Sequence, residues 1–170
     1  MEGRYAIQEK GDPNLAVALI LKAGNTSMKR CLKRFKEVPA SECTAKVRLG
    51  FIREPFDRLE SCYSFFYWHY KNDTLSHQDP MYPYIGDYER FIDHMLAGEF
   101  PNNHWRPQTD LFPNLTVTHK FEEYPKRWGD YFPGFLPDIV NRSTHLDISD
   151  YRKSDLENYY HKDLNTWHSL

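Results

Sequence analysis

Six polar or small residues in a row, Lys22, Ala23, Gly24, Asn25, Thr26 and Ser27, follow an apolar run from Leu15 to Leu21. They precede a basic segment in which Met28, Cys31, Leu32 and Phe35 recur at i, i+3, i+4 and i+7. The apolar run reads as a strand buried on both faces, and the recurrence as one helix stripe. A strand, a glycine-containing loop and a helix in that order aim backbone N–H groups and a positive dipole end at an anion. Lys22 adds a full charge, and Thr26 and Ser27 add hydroxyl donors. The chemistry is therefore anion binding; the plain alternative is a βα turn with a solvated basic helix. A second cation joins it. The stretch Ala45 to Ile52 reads as another strand and ends in Arg53-Glu54-Pro55. Pro55 suits the first turn of a helix on which Arg58 and Ser61 are i, i+3 neighbours. Two strands separated by one helix make a parallel pair, which brings Arg53 to the same sheet end as Lys22.

The elements that must hold these residues follow from the same patterns. The βαβ order predicts an α/β fold, a three-layer α/β/α domain around a short central parallel sheet. Residues 1–14 are polar and are expected to start the chain loosely. The first helix should end before Pro39, and the second carries Phe56, Leu59, Tyr63, Phe66 and Tyr67 on its apolar face. Residues 68–86 lack periodicity and read as a long aromatic loop of the kind that often serves function. Asp87 caps a helix with Tyr88, Phe91, Ile92, Met95 and Leu96 at helical spacing, stopped by Gly98. Residues 99–114 form another loop, and Leu115 to Phe121 a third strand. The region of Pro133 and Pro137 reads as irregular. Ser154 and Glu157 form a capping box for a last helix, with Leu156, Tyr159, Tyr160, Asp163, Leu164 and Trp167 along one side.

Composition bounds the possibilities. At 170 residues the expectation is one domain spanning 1–170, with 40% hydrophobic residues for a core. A net charge of -2 gives no global field for nucleic acid. No segment approaches the apolar length of a membrane helix, and no signal peptide is visible. Three cysteines, Cys31, Cys43 and Cys62, without CxxC spacing fit a reduced compartment. Four Asn-x-Ser/Thr sequons, at Asn25, Asn72, Asn114 and Asn141, read as chance, since a glycan on Asn25 would block the anion loop. No HExxH or paired Cys/His spacing is present, so no metal is expected.

The segments LKAGNTS and GFIREPFDRLESCYSFF resemble the two cofactor-binding segments of the sulfotransferases that use 3′-phosphoadenosine 5′-phosphosulfate as sulfuryl donor. DYERFIDHMLAG, NNHWRPQTDL and THKFEEY are similar to the corresponding region of the Golgi carbohydrate sulfotransferases of the chondroitin 4-O type. The resemblance runs from about Leu15 to Trp167. Leu21 stands where the family usually has Pro, and Asn25 where it often has Thr; the two cofactor segments are unusually close. The resemblance implies a P-loop-like form of the domain. It also implies donor contacts from Lys22, Ala23, Gly24, Asn25, Thr26 and Ser27 to the 5′-phosphosulfate, and from Arg53 and Ser61 to the 3′-phosphate. Lys22 would be catalytic, stabilising the leaving phosphate oxygen. A guanidinium suits a phosphate because it binds bidentately. Arg58 reads equally as a helix-surface ion pair or a ligand.

The acceptor hydroxyl must lose a proton, which favours a histidine. Of eight His, His104 lies in the family-like HWRP loop and is the expected base. The alternative is a loop histidine tied to a backbone carbonyl. Trp105 is expected to pack that loop down, Glu122 to brace the loops at the third strand's end, and Trp128 is one candidate for an adenine contact. The partner is a small-molecule or glycan acceptor, not nucleic acid, and no membrane span is expected. The Golgi enzymes' anchor is not seen, so the expectation is a minimal, soluble, cytoplasmic form of bacterial or viral type. Two other functions compete. One is a nucleotide kinase or NTPase, although Lys22 precedes Gly24 and G-x-x-x-x-G-K-[ST] is absent. The other is a non-catalytic module that kept a donor-binding fold.

Overall fold

The computed structural model describes residues 3–8, 12–32, 34–133 and 150–170. Pro137, the sequon at Asn141 and His145 lie outside them. The fold is mixed α/β. Five strands form one sheet in the order β3-β1-β2-β4-β5, with β1 at Arg4–Gln8, β2 at Leu15–Ala18, β3 at Phe35–Pro39, β4 at Val47–Ile52 and β5 at Val117–Lys120. The expected parallel pair is present: Leu15 to Val17 of β2 lie beside Val47 to Leu49 of β4. β5 adds to β4 in parallel, from Leu49 opposite Val117 to Ile52 opposite Lys120.

The other half of the sheet departs from expectation. Residues 4–8, inside the segment expected to be loose, form β1, which pairs antiparallel with both β2 and β3. The sheet is therefore mixed rather than parallel. Helix α1 spans only Asn25–Cys31, and Phe35, expected on its stripe, opens β3. Phe35 falls at helical spacing from Met28, but its backbone is committed to Gln8 of β1. A ladder formed across the sheet outweighs a local period.

Alternation along the strands sends side chains to two faces. Ala16, Ala18 and Ile20 point to one, where Leu111 of α4 (Gln108–Leu111) and Trp167 of α7 (His161–His168) pack. Leu15, Val17 and Leu19 point to the other, against Met28 of α1 and Tyr124 and Trp128 of α5 (Tyr124–Tyr131). Helices thus cover both sides. A further core joins α2 (Pro55–Lys71), α3 (Tyr88–Leu96) and α6 (Lys153–Tyr159) through Tyr63, Phe66, Phe91, Ile92, Trp105 and Leu156.

Several local signals act as written. Glu54 caps α2 by accepting from the Asp57 N–H at 2.7 Å, with Pro55 in the first turn. Asp87 caps α3 by accepting from the Arg90 N–H, and Gly98 follows with φ 75°. Others do not. Arg152, at φ 52°, precedes α6, and no side chain caps that helix, so Ser154 and Glu157 form no capping box. The single terminal helix expected there is two, α6 and α7, separated at Tyr160. Helix α2 runs through Lys71 and takes in the first residues of the expected aromatic loop. No helix among the described residues is long and apolar enough to cross a membrane.

Candidate functional site

β2 and β4 are neighbours and parallel, so the residues that leave their ends emerge together. After β2 the chain turns through Leu21 to Gly24, and two residues of this turn have left-handed backbones: Lys22 at φ 64° and Gly24 at φ 77°. Gly24 needs its lack of side chain twice over, since a Cβ there would also meet the Phe121 ring at 2.8 Å. Lys22 has no such excuse; a left-handed non-glycine costs on the order of 1–2 kcal/mol and persists only where neighbours over-determine it. Two arginines do so. Arg53 Nη1 donates to the Lys22 carbonyl at 3.2 Å, and Arg58 Nε donates to the Leu21 carbonyl at 3.0 Å.

The Lys22 ammonium is half-buried, 4.6 Å from the centroid of the Phe65 ring. Burial lowers its pKa; Arg53 lowers it as well, against an opposing effect of Cys62. Arg53 itself is held through its backbone. The Gln108 side-chain amide accepts from the Arg53 N–H at 3.1 Å and donates to the Arg53 carbonyl at 2.9 Å. Asp163 of α7 anchors this amide: it is fully buried and accepts from the Gln108 and Thr109 N–H groups, from Thr109 Oγ1 and from Gln108 Nε2.

Arg58 is neither a surface ion pair nor an exposed ligand. It is fully buried, and besides Leu21 its guanidinium donates to the carbonyls of Arg106 at 2.9 Å and Asn103 at 2.8 Å. Among the described residues carbonyl oxygens meet it, not a carboxylate. A buried guanidinium cannot shed its proton, so its charge stays in the site.

His104 sits on the loop that Arg58 grips. Asn102 Oδ1 accepts from the His104 backbone N–H at 3.0 Å and lies 2.7 Å from its Nδ1. The backbone N–H must face an oxygen, which fixes the Asn102 amide; Nδ1 then carries the ring proton, and Nε2 keeps its lone pair. Burial, then the charges of Arg58 and Lys22, push the imidazole pKa down to about 4. The ring is therefore neutral at pH 7 and can accept a proton at Nε2. The expected alternative, a histidine tied to a backbone carbonyl, is not what is seen: the partner is the Asn102 side chain. Cys62 Sγ donates to the His104 carbonyl at 2.8 Å. Burial raises the pKa of Cys62 to about 11 against the pull of Arg58, Lys22 and Arg53, so it is a thiol.

The remaining expected residues divide. Ala23 is fully buried and packs against the sheet, leaving its backbone alone to meet a ligand, while Thr26 is exposed. Asn25 opens α1. Ser27 and Ser61 are buried at 4% and 1% exposure, Ser61 one turn beyond Arg58 on α2. Glu122 is exposed and close enough to Glu54 to add to the rise in pKa that burial imposes on that carboxyl. Trp105 is buried among Phe66, Phe91 and Phe100, as expected of a residue that packs its loop down. Trp128 is fully buried between Phe51 and Phe132 and offers no surface to an adenine. Leu75, Met81 and Ile85 of the aromatic stretch share one core with Trp105. What that stretch brings near Lys22 is its first turn, where the His69 ring lies 4.5 Å from Phe65.

Sequence reasoning missed Gln108, Asp163, Asn102 and Phe65. Two of them left a sign: Asn102 opens the Asn-x-His spacing of the NNHWRP segment, and Asp163 is a lone acid in an apolar stripe. Comparison with models of known protein families, with curated proteins and with solved structures finds no match. Fold and site together define a mixed α/β protein with cations and a neutral histidine gathered at one end of its parallel strands.

Proposed function

We propose that this protein moves a sulfuryl group from 3′-phosphoadenosine 5′-phosphosulfate to a hydroxyl acceptor, carbohydrate hydroxyls first among them. We read β2, β4 and β5 with their flanking helices as a P-loop-like three-layer core. One observation carries the reading: Lys22 and Arg53 leave adjacent parallel strands at the same end, beside a histidine whose Nε2 is free to take a proton. The buried Arg58 charge, met by carbonyls alone among the described residues, adds positive potential suited to a multiply anionic donor.

The donor supplies an activated sulfur bonded to a phosphate oxygen. Lys22 and the loop through Ser27 would hold the phosphosulfate; Arg53, with Ser61, would hold the 3′-phosphate. A new bond forms from the acceptor oxygen to sulfur, the sulfur–phosphate oxygen bond breaks, and the hydroxyl proton goes to His104 Nε2. Lys22 neutralises charge on the departing phosphate. An anion in the site offsets the two cations that depress His104, so the imidazole becomes more basic when the donor is bound.

The test is donor-dependent transfer of labelled sulfate to a panel of glycans, phenols and small alcohols, with His104→Ala alongside. Transfer that falls about 10²–10⁴-fold in the variant supports the reading. Stabilisation by ATP-magnesium but not by 3′-phosphoadenosine 5′-phosphate in a thermal shift points instead to a nucleotide kinase or NTPase. Binding of the latter without turnover on any acceptor points to a non-catalytic module.

A further inference from the structure

We propose that Arg58 is a positioning residue: it locks the turn that carries Lys22 to the loop that carries His104, so that both groups address one reacting centre. The purpose of the lock rests on the transfer reading above; the lock itself rests on hydrogen bonds. Arg58 stands on α2, an element belonging to neither loop. Its Nε reaches back to Leu21, one residue before Lys22, at 3.0 Å. Its two Nη atoms reach Asn103 and Arg106, which flank His104, at 2.8 and 2.9 Å. The three acceptors are backbone carbonyls of segments 37 to 48 residues away in sequence. A planar fork with fixed N–H directions fixes both distance and angle between them, which an ammonium cannot do.

Burial makes the lock stiff. With its side chain removed from water, a guanidinium that let go of either loop would find no water to take the carbonyl's place, so the two loops gain or lose their register together. The same helix adds a second tie on the His104 side, through Cys62 Sγ to the His104 carbonyl. On the Lys22 side, Arg53 grips the next carbonyl along the turn. Arg58 hydrogen-bonds to both segments at once.

The test uses Arg58→Lys and Arg58→Gln in the full chain. Amide hydrogen exchange is followed at Ala23 in the turn, at His104 and Arg106 in the loop, and in β4 as a control. Both loops should exchange at least about tenfold faster in both variants while β4 keeps its protection. Loosening of one loop alone, or of neither, overturns the lock. In the transfer assay Arg58→Lys, which keeps the charge, should lose about 10²-fold in kcat. Its donor KM should stay within about threefold of wild type. Loss confined to KM, or a wild-type kcat with both loops loosened, overturns the positioning role. A wild-type chain that transfers to no acceptor sinks the transfer reading, and the exchange data then decide the lock alone. If neither variant folds, the wild-type guanidinium decides: its N–H protons should exchange at least about 10²-fold more slowly than those of exposed Arg30, and equal rates overturn the lock.

Discussion

His104 makes the stability of the fold depend on pH in a defined window. In the unfolded chain an imidazole takes up a proton near pH 6.5; in the fold it does so only near pH 4, because the ring is partly buried and faces Arg58 on α2 and Lys22 on the turn, while its Nδ1 meets the Asn102 amide of its own loop. Between those values the unfolded state holds more protons, so lowering the pH favours unfolding. The contribution is complete above pH 6.5, is lost as pH falls towards 4, and changes no further below. At about 1.4 kcal/mol per pH unit the window is worth at most ~3.5 kcal/mol, and screening of a half-buried ring brings that to about 2. Urea unfolding of wild type and His104→Gln at steps from pH 7.5 to 3.5 measures it. Carboxylates that titrate in the same range affect both proteins and cancel in the difference. The wild-type-minus-variant stability should fall by about 2 kcal/mol between pH 6.5 and 4 and be flat above. A difference flat across the whole range, or one that moves above pH 6.5, would refute the assignment of a depressed, neutral His104. Lys22→Met removes one of the two cations and should narrow the window from its lower end.

Arg53→Ala should weaken 3′-phosphoadenosine 5′-phosphate by about 1.5–3 kcal/mol more than adenosine 5′-phosphosulfate, as measured by calorimetry; equal weakening would leave Arg53 with its hold on the Lys22 carbonyl alone. Gly24→Ala combines an unfavourable φ with a Cβ against Phe121, and should cost about 1–3 kcal/mol in urea unfolding, part of it recovered by adding Phe121→Leu. No recovery would locate the cost in the backbone alone. Asp163→Ala strands the donors of Gln108 and Thr109 and should cost about 3 kcal/mol or more. A loss under about 1 kcal/mol would show that water replaces the carboxylate.

The parts of the fold legible in the sequence are those whose cause is local. β2 and β4 announce themselves as apolar runs, and α2 and α3 by Pro55, Asp87 and Gly98, because caps and breakers act within a few residues. β1 and β3 do not, because each is stabilised by the other and Phe35 happens to fit a helical period. The same division holds at the site. Lys22 and Arg53 are legible because strand ends in a parallel pair must coincide. Arg58 is not: its acceptors are main-chain carbonyls, which every residue has, so nothing in Leu21, Asn103 or Arg106 marks them as partners. Ser154 and Glu157 mark the opposite failure, a capping pattern present in letters and unused because the chain enters α6 through a left-handed Arg152.

The amide of Gln108 serves Arg53 as a neighbouring strand would, filling both its N–H and its carbonyl from one side chain. That rung stands on Asp163, and Gln108 lies 55 residues from Arg53 and 55 from Asp163. The consequence is one of order in time. During synthesis β2 and β4 leave the ribosome before α7, and the turn bearing Lys22 with them. The carboxylate that fastens Gln108, on Asp163, emerges after all of them. Until then α4 lacks its cap, and the backbone of Arg53 has no fixed partner beyond the strand end. The pairing of Lys22 with Arg53 is thus begun by β2 and β4 and made rigid by the later-made α7.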